Sequence, residues 1–377
     1  MKPGRILAVA RKEFLHIARD VRSLAMAFGI PVLLLVLFGY ALTLDVNDVP
    51  IVVMDRSGTA ASRDFISRFA GSPYFDVKGS VDNYAQMERE VDFGRALGGL
   101  VIPSDFGERV ATGRGASVQM IFDGSDSNTA TIAMGYADSI ALGYSQEIIV
   151  KAMRLKGAAV STSPLDVRPR VWFNTDMQSK NFIIPGLIAV IMMTISALLT
   201  SLTVAKEWET GTMEQLISTP VRGPELVLGK LIPYFVIGML DMLIAVLMAE
   251  FYFAVHVQGS VLLLFGMAAV FLTGAMSLGI LISINAKSQI LASQMAMVMT
   301  FVPSLLMSGF VFAIANMPKA LQMISYVVPA RYFVALLRGI YLKGVGLEVL
   351  KGEAAMLAAF SAIVLAAAIK KFKKKLV

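Results

Sequence analysis

Cysteine is absent from this 377-residue chain, which excludes disulfides, thiolate metal sites and cysteine nucleophiles together. Histidine is nearly absent. His16 and His256 stand too far apart to make a metal cluster of ordinary spacing. Charge is also scarce: 16% of residues are Asp, Glu, Lys or Arg, against about 25% in soluble domains. With 56% of residues hydrophobic, the balance is that of an integral membrane protein. The formal net charge of +7 raises nucleic acid as a partner. The basic residues cluster beside apolar runs, however, so the bilayer surface is the simpler partner and no nucleic acid is expected.

What the chain has in abundance is long apolar runs. Crossing roughly 30 Å of hydrocarbon takes about 20 residues of helix. Five runs satisfy this, at 24–44, 182–204, 231–255, 261–284 and 290–315; a sixth, 350–369, is Ala-rich with Lys351 and Glu353 at its start. The first run follows a 23-residue basic leader and shows no small-residue cleavage pattern, so it reads as a span and not a signal peptide. Lys and Arg excess marks cytoplasmic segments. The leader carries Lys2, Arg5, Arg11, Lys12, Arg19 and Arg22, and the tail "KKFKKKLV" holds five lysines. Both termini are therefore expected in the cytoplasm, His256 outside and Lys287 inside, in a plan that suits a bacterial inner membrane. The stretch 316–344 is expected outside yet carries Lys319, Arg331, Arg338 and Lys343. Its apolar residues are too interrupted for a span, so it reads as amphipathic helices or a re-entrant hairpin; were it to cross, the tail would change sides.

The expected fold is thus a polytopic α-helical membrane protein, with six transmembrane helices plus an α/β extracytoplasmic domain between the first and second. The divisions are a cytoplasmic amphipathic leader helix (1–23), the first transmembrane helix (24–44) and the outer domain (45–180). Transmembrane helices two to six follow (181–369), with a polar cytoplasmic segment at 205–225 and the outer hairpin at 316–344, and a basic cytoplasmic tail ends the chain (370–377). In the leader, Leu7, Ala10, Phe14, Ile17, Ala18 and Val21 share one helical face, as in helices that lie at the membrane boundary. Within 45–180, "VPIVVMD", "YFDVKGS", "ALGGLVIP" and "SVQMIFDG" read as strands, with helices at 60–69 and 82–91 and a long helix from Ser127. Alternating strands and helices predict an α/β arrangement. Asp55, Arg56 and Ser57 end a strand where a site can be built, but turn chemistry explains them equally well.

The segment "KEWETGTMEQLISTPVRGPELVLGK" (206–230) interrupts two apolar runs with Glu207, Glu209, Glu214 and Glu225. Taken alone it reads as a solvated loop with a helix cap. Residues 205–217 have helical character broken near Gly211, Pro220 ends the element, and Pro224 forces a turn before the next span. "GPELVLGKL" approaches a phosphate loop but has five residues between its glycines instead of four, and Leu231 stands where the Mg²⁺-binding hydroxyl belongs. Catalytic, metal-binding and cofactor-binding residues are therefore not expected in this chain.

Three stretches in order, "EWETGTMEQLISTPV", "GPELVLGKLIPY" and "SGFVFAIANMPKALQMISYVVPARYFVALLRGIYLKG", resemble the permease subunits of type-2 ATP-binding-cassette exporters. The similarity covers essentially the whole chain. It implies that the polar segment docks a cytosolic ATPase, with Glu207, Trp208, Glu209, Gly211, Thr212, Met213, Glu214, Leu216, Thr219 and Pro220 as the ATPase-coupling residues. Exposed carboxylates would pair with basic residues of that partner and set its register, while Trp208, Met213 and Leu216 would supply the packed contact. It also implies ATP and Mg²⁺ on the partner ATPase, and a second permease, identical or closely related. A periplasmic adaptor is left open.

Inside the spans, Asp241 and Glu250 are the candidates for a translocation path, because an ionisable group costs about 2.5–3.5 kcal/mol at a membrane centre. Asp241 can line a path, relay a proton or pair across a helix interface; Lys230 is expected to snorkel. The reading is export of a drug, lipid or other amphipathic compound driven by ATP. An ion-coupled secondary transporter using Asp241 is the first alternative, although the paired repeats of such transporters are not evident. A membrane-anchored protein acting through its outer domain is the second.

Overall fold

Long apolar runs and short alternating ones fold into separate units in the computed structural model, which describes residues 2–41, 47–155, 173 and 178–372. One unit comprises Met1–Thr43 with Val171–Val377, the other Leu44–Arg170. The end of the expected first span, the part of the outer segment that follows Leu155 up to residue 172 and the last five residues of the tail lie outside the described residues. The first unit opens with α1 (Pro3–Arg19), whose Pro3 suits a first helical turn. Then α2 (Val21–Leu24) passes through a π turn at Ala25–Gly29 into α3 (Ile30–Ala41). The apolar part described there is Ala27–Ala41, short of a full crossing.

In the second unit β1 (Val49–Asp55), α4 (Ala60–Ala70), β2 (Phe75–Ser80), α5 (Tyr84–Asp92), β3 (Gly98–Ile102), α6 (Phe106–Thr112), β4 (Gln119–Phe122) and α7 (Ser127–Leu155) build a four-stranded sheet ordered β2-β1-β3-β4. The strand β1 runs parallel to β2 and β3, and β4 is antiparallel to β3. Helices cover both faces, which is why β1 is an unbroken apolar run. Val49, Ile51 and Val53 join Phe65, Phe69 and Phe106 in one core, while Val52 and Met54 meet Met87 and Val101 on the other side. Thr59 and Asn83 cap α4 and α5 by accepting from the Ser62 and Gln86 amides. The Asp55 carboxylate accepts from the amides of Ser57 (2.9 Å) and Gly58 (3.1 Å) and from the Ser62 hydroxyl (2.7 Å). These residues therefore make a turn and a helix start.

The helical unit resumes with α8 (Ser179–Glu209), α9 (Thr212–Ser218) and α10 (Gly223–Leu247), the last extended by a π turn at Met248–Tyr252. It continues with α11 (Val261–Ala286), α12 (Gln289–Met307), α13 (Lys319–Ser325), α14 (Pro329–Lys343) and α15 (Leu347–Lys371). Among the described residues five helices are long and apolar enough to cross a membrane: α8, α10 with its π turn, α11, α12 and α15. The pair α13 and α14 meets at 83°. Within the stretch read as amphipathic helices or a re-entrant hairpin, α14 packs on α8, α11 and α15 with Phe333, Leu336, Leu337 and Ile340 buried. Those positions follow helical spacing, so its apolar stripe meets protein. Pro224 also acts differently from expectation: it occupies the first turn of α10 and starts that helix.

At the centre lies α8, apolar on all sides and enclosed by α3, α10, α11, α12 and α14. Close approach to α11 depends on Gly279, where a Cβ would run into the Ala197 carbonyl and the Thr200 hydroxyl of α8. Gly279→Val is expected to cost about 1–3 kcal/mol by overpacking, read as a lower melting temperature and reduced membrane yield of the full chain; an unchanged melting temperature would show that α8 and α11 do not meet here.

Candidate functional site

A lysine near the start of an apolar helix needs either water or a carboxylate. Lys230, two turns into α10, is 1% exposed, so the expected snorkelling is corrected. Its ammonium stands 2.8 Å from Glu13 Oε1 of α1 and 3.0 Å from Glu207 Oε2 of α8. The first is a directed hydrogen bond; the second is a charge contact without hydrogen-bond alignment. Lys12 Nζ closes the group at 2.9 Å from Glu207 Oε1. Two cations and two carboxylates thus balance in a site formed by three helices. At the half-exposed Lys12, burial pulls the ammonium pKa down while the Glu207 hydrogen bond and charge push it up, and the net result is raised.

This joint explains how α1 lies. Val9, Ala10, Glu13 and Ile17 are its buried residues, whereas Leu7 is 69% and Phe14 54% exposed. The face that meets protein is therefore rotated from the one that apolar periodicity marks, because Glu13 must reach Lys230. Close packing depends on Gly229 of α10, where a Cβ would collide with Val9. The "GPELVLGKL" stretch is accordingly helical from Gly223, with Gly229 used for helix contact.

Both ends of α1 are fastened as well. Glu225 accepts from the Lys2 amide (2.8 Å) and the Arg222 amide (2.9 Å), and the Arg5 guanidinium lies 3.7 Å away. Arg5 also donates to the Pro220 carbonyl at 2.5 Å. At the other end Asp20 is 3.6 Å from Lys206. The leader is a strap across the inner side of the polar segment.

The segment itself begins as the last turns of α8, which continues past the apolar run to Glu209. Gly211, at φ +73°, supplies the left-handed turn into α9. Glu209 accepts from the backbone and side-chain nitrogens of Gln289, both at 3.0 Å, which fixes it to the start of α12. Lys287 lies 5.3 Å over the half-buried Trp208 ring. Met213 is buried, Leu216 is half-buried, and Thr212 Oγ1 lies 3.4 Å from the Glu207 carbonyl. Thr219 donates its hydroxyl to the Leu216 carbonyl at 2.6 Å. Glu214, Gln215, Ser218, Thr219 and Pro220 are exposed. The expectation of freely exposed carboxylates is thus corrected for Glu207 and Glu225, which are internal, and for Glu209, which is engaged by Gln289. Of the four, only Glu214 lacks an intramolecular partner among the described residues. A cleft of about 760 Å³ opens between α1, α9 and the adjoining ends of α8 and α10.

Asp241 and Glu250 are not brought together. Asp241 is buried beside a cavity of about 10 Å³ lined by Pro31, Leu35, Ile188, Met192 and Ala245, and no hydrogen bond or ion pair reaches it among the described residues. Pairing across a helix interface is thus not what holds it. Glu250, on the π turn, is 2.8 Å from His256 Nδ1 and accepts from the Val257 amide at 3.2 Å. Sequence reasoning missed the pairing of Glu13 with Lys230. Its signal was a carboxylate at i+4 from Val9 and i−4 from Ile17, on the helix face that turns to protein.

Five long apolar helices, a broken hairpin and a strapped polar segment define a multi-pass helical membrane protein. Residues 21–370 match the family described as ABC-2 family transporter protein. The probable multidrug ABC transporter permease YbhS of Escherichia coli K12 is 40% identical over 342 residues, covering 90% of this chain and 89% of the relative. The probable multidrug ABC transporter permease YbhR of the same organism is 29% identical over 375 residues, 98% and 99% of the two chains. The inner membrane transport permease YhhJ, again from Escherichia coli K12, is 25% identical over 331 residues, 87% and 86%. The chain belongs to the ABC-2 transporter family, and is a permease subunit of an ATP-driven exporter that pairs with an ATP-binding-cassette ATPase.

Removing one member of a buried ion group leaves the others unpaired, at about 3–5 kcal/mol, whereas replacing the whole group by apolar residues is often neutral. Lys230→Met is therefore expected to lower the melting temperature of the full chain markedly. Combining it with Glu13→Met and Glu207→Met should recover most of the loss; a triple variant no better than Lys230→Met would refute the joint.

Proposed function

We propose that the coupling of ATP hydrolysis to export passes through α9 and the leader strap. ATP and Mg²⁺ are held by two ATPase subunits, and a second permease, identical or related, completes the path. The termini and α9 face the cytoplasm, the α/β unit lies on the outer side of the bacterial inner membrane, and the cargo is a drug, lipid or other amphipathic compound. The multidrug names of two relatives and the scarcity of polar groups in the spans support that cargo class. The helical state of Gly223–Leu247 supports a chain without its own phosphate loop.

The observation that carries this reading is the exposed face of α9 with Glu214 and Pro220, mounted on a segment whose inner side is tied by charge to α1, α8 and α10. A face offered to a partner needs such a backing if it is to transmit displacement. Residues 207, 208, 209 and 213 then serve as the mount, and 214, 219 and 220 as the contact. An ion-coupled transporter centred on Asp241 would need an access route, and the cavity beside that carboxyl holds about one water. An anchor acting through the α/β unit leaves the strap without a purpose.

Glu214→Lys reverses a charge at the contact and is expected to reduce ATPase retention in co-purification about tenfold, with the yield of the permease unchanged because the position is exposed. Wild-type retention together with wild-type transport would remove α9 from the interface. Asp241→Asn keeps the volume and removes the charge. It is expected to slow ATP-dependent efflux of an amphipathic dye from vesicles while leaving yield and ATPase retention intact, and an undiminished rate would take Asp241 off the path.

A further inference from the structure

At the end of α8 remote from the ionic joint, a second polar site lies between α12, α13, α14 and α15. Phe182 and Glu207 are 25 residues apart on α8, which places this site about 37 Å away along the helix. It is a cavity of about 510 Å³ whose lining includes Ser308, Tyr326, Arg331, Tyr332, Arg338 and Glu353. Two of the cationic residues that made 316–344 anomalous in sequence thus converge on one space.

Each guanidinium lies over a ring. Arg338 lies 3.4 Å over Phe182 and Arg331 3.9 Å over Tyr326. Arg338 donates to the carbonyls of Gly309 (2.8 Å) and Phe310 (3.2 Å), and its buried Nε has no acceptor. Arg331 donates through Nη1 to the Ser325 hydroxyl (2.5 Å) and the Gln322 carbonyl (3.4 Å). Its Nε and Nη2 have no protein acceptor among the described residues. Neither arginine is within ion-pair distance of a carboxylate there, although Glu353 lines the same cavity. Two cations against one anion leave an excess positive charge.

Arg331 and Arg338 are both half-buried, and a charge drawn partly out of water is expected to find a counter-charge. Arginine is the side chain whose planar fork matches phosphate oxygens, and stacking orients the fork before a ligand arrives. The cavity lies where α12 ends and α15 begins, and the ends of apolar spans are where a bilayer would present its headgroups. We propose that this cavity binds the phosphoryl group of a membrane phospholipid whose headgroup has net negative charge, with Arg331 and Arg338 as its ligands, Glu353 limiting the affinity, and the excess positive charge disfavouring a headgroup that carries its own cation. The site differs from α9 and Asp241 in residues and in position, and it stands whether or not those act in transport.

The test uses the full chain in a neutral detergent. Native mass spectrometry counts retained phosphatidylglycerol against phosphatidylcholine, with inorganic phosphate as competitor. Retention of phosphatidylglycerol over phosphatidylcholine is expected, weakened roughly tenfold by Arg331→Gln, largely kept by Arg331→Lys and strengthened by Glu353→Gln. These variants leave the Arg338 contacts to Gly309 and Phe310 in place, so the chain still folds; Arg338→Gln serves as a further arm. Failure of inorganic phosphate to compete assigns the site to the lipid. Competition by phosphate that Arg331→Gln abolishes would keep the phosphoryl site and overturn the lipid as its ligand. Equal retention of the two lipids, or binding indifferent to both Arg331→Gln and Glu353→Gln, would overturn the proposal.

Discussion

An ammonium group cut off from solvent governs one end of the helical unit. Removing an ion from water costs several kcal/mol even after relaxation, so Lys230 is tolerable only where carboxylates meet it. Glu207 supplies one from α8, but a single residue cannot surround the charge, and Glu13 must come from α1. That requirement lays the leader across α10, turns Leu7 and Phe14 away from protein, and brings Lys2 and Arg5 to Glu225 and Pro220. Much of the geometry of the polar segment follows from one desolvated charge.

The same constraint divides the polar segment by role. Residues that look alike in sequence, four glutamates within one short stretch, have four environments: Glu207 in the ionic joint, Glu209 under the Gln289 nitrogens, Glu225 at the head of α10, and Glu214 open to solvent. Exposed ion pairs contribute roughly 0–1 kcal/mol each, whereas the internal ones fix an arrangement that a partner can push against. The left-handed turn at Gly211 lies between Glu209, held by Gln289, and the exposed Glu214.

Much of the architecture was legible in sequence, for reasons of length and period. Runs of more than twenty apolar residues have few alternatives to a spanning helix, and α8, α10, α11 and α15 each extend beyond the run that announced them. The central strands β1 and β3 were legible because strands covered on both faces are apolar nearly throughout. The seven-residue α6 carries too little pattern to be seen. In α14 the arginines obscured a helical stripe that meets α8 and α11. The joint itself was not legible, since Glu13 and Lys230 are 217 positions apart and nothing local reports which carboxylate a buried lysine will find. In α1 the face that meets protein shares Ala10 and Ile17 with the apolar stripe but is rotated from it, because the decisive residue on the buried face is acidic. Within the candidate coupling segment the break at Gly211 was readable from glycine chemistry, but the separation of internal from exposed glutamates required three helices in place.

The enclosed helix α8 has one further implication. It is an unbroken rod of 31 residues that carries Glu207 near one tip and Phe182 near the other, beneath the Arg338 guanidinium. Pro185 lies between these two ends, and a proline inside a helix removes one backbone hydrogen bond and is a site where a helix bends. If α9 takes the stroke of the ATPase as proposed, this helix joins the ionic joint to the Phe182 ring beside the arginine-lined hollow, with Pro185 as the point where the two ends can turn separately.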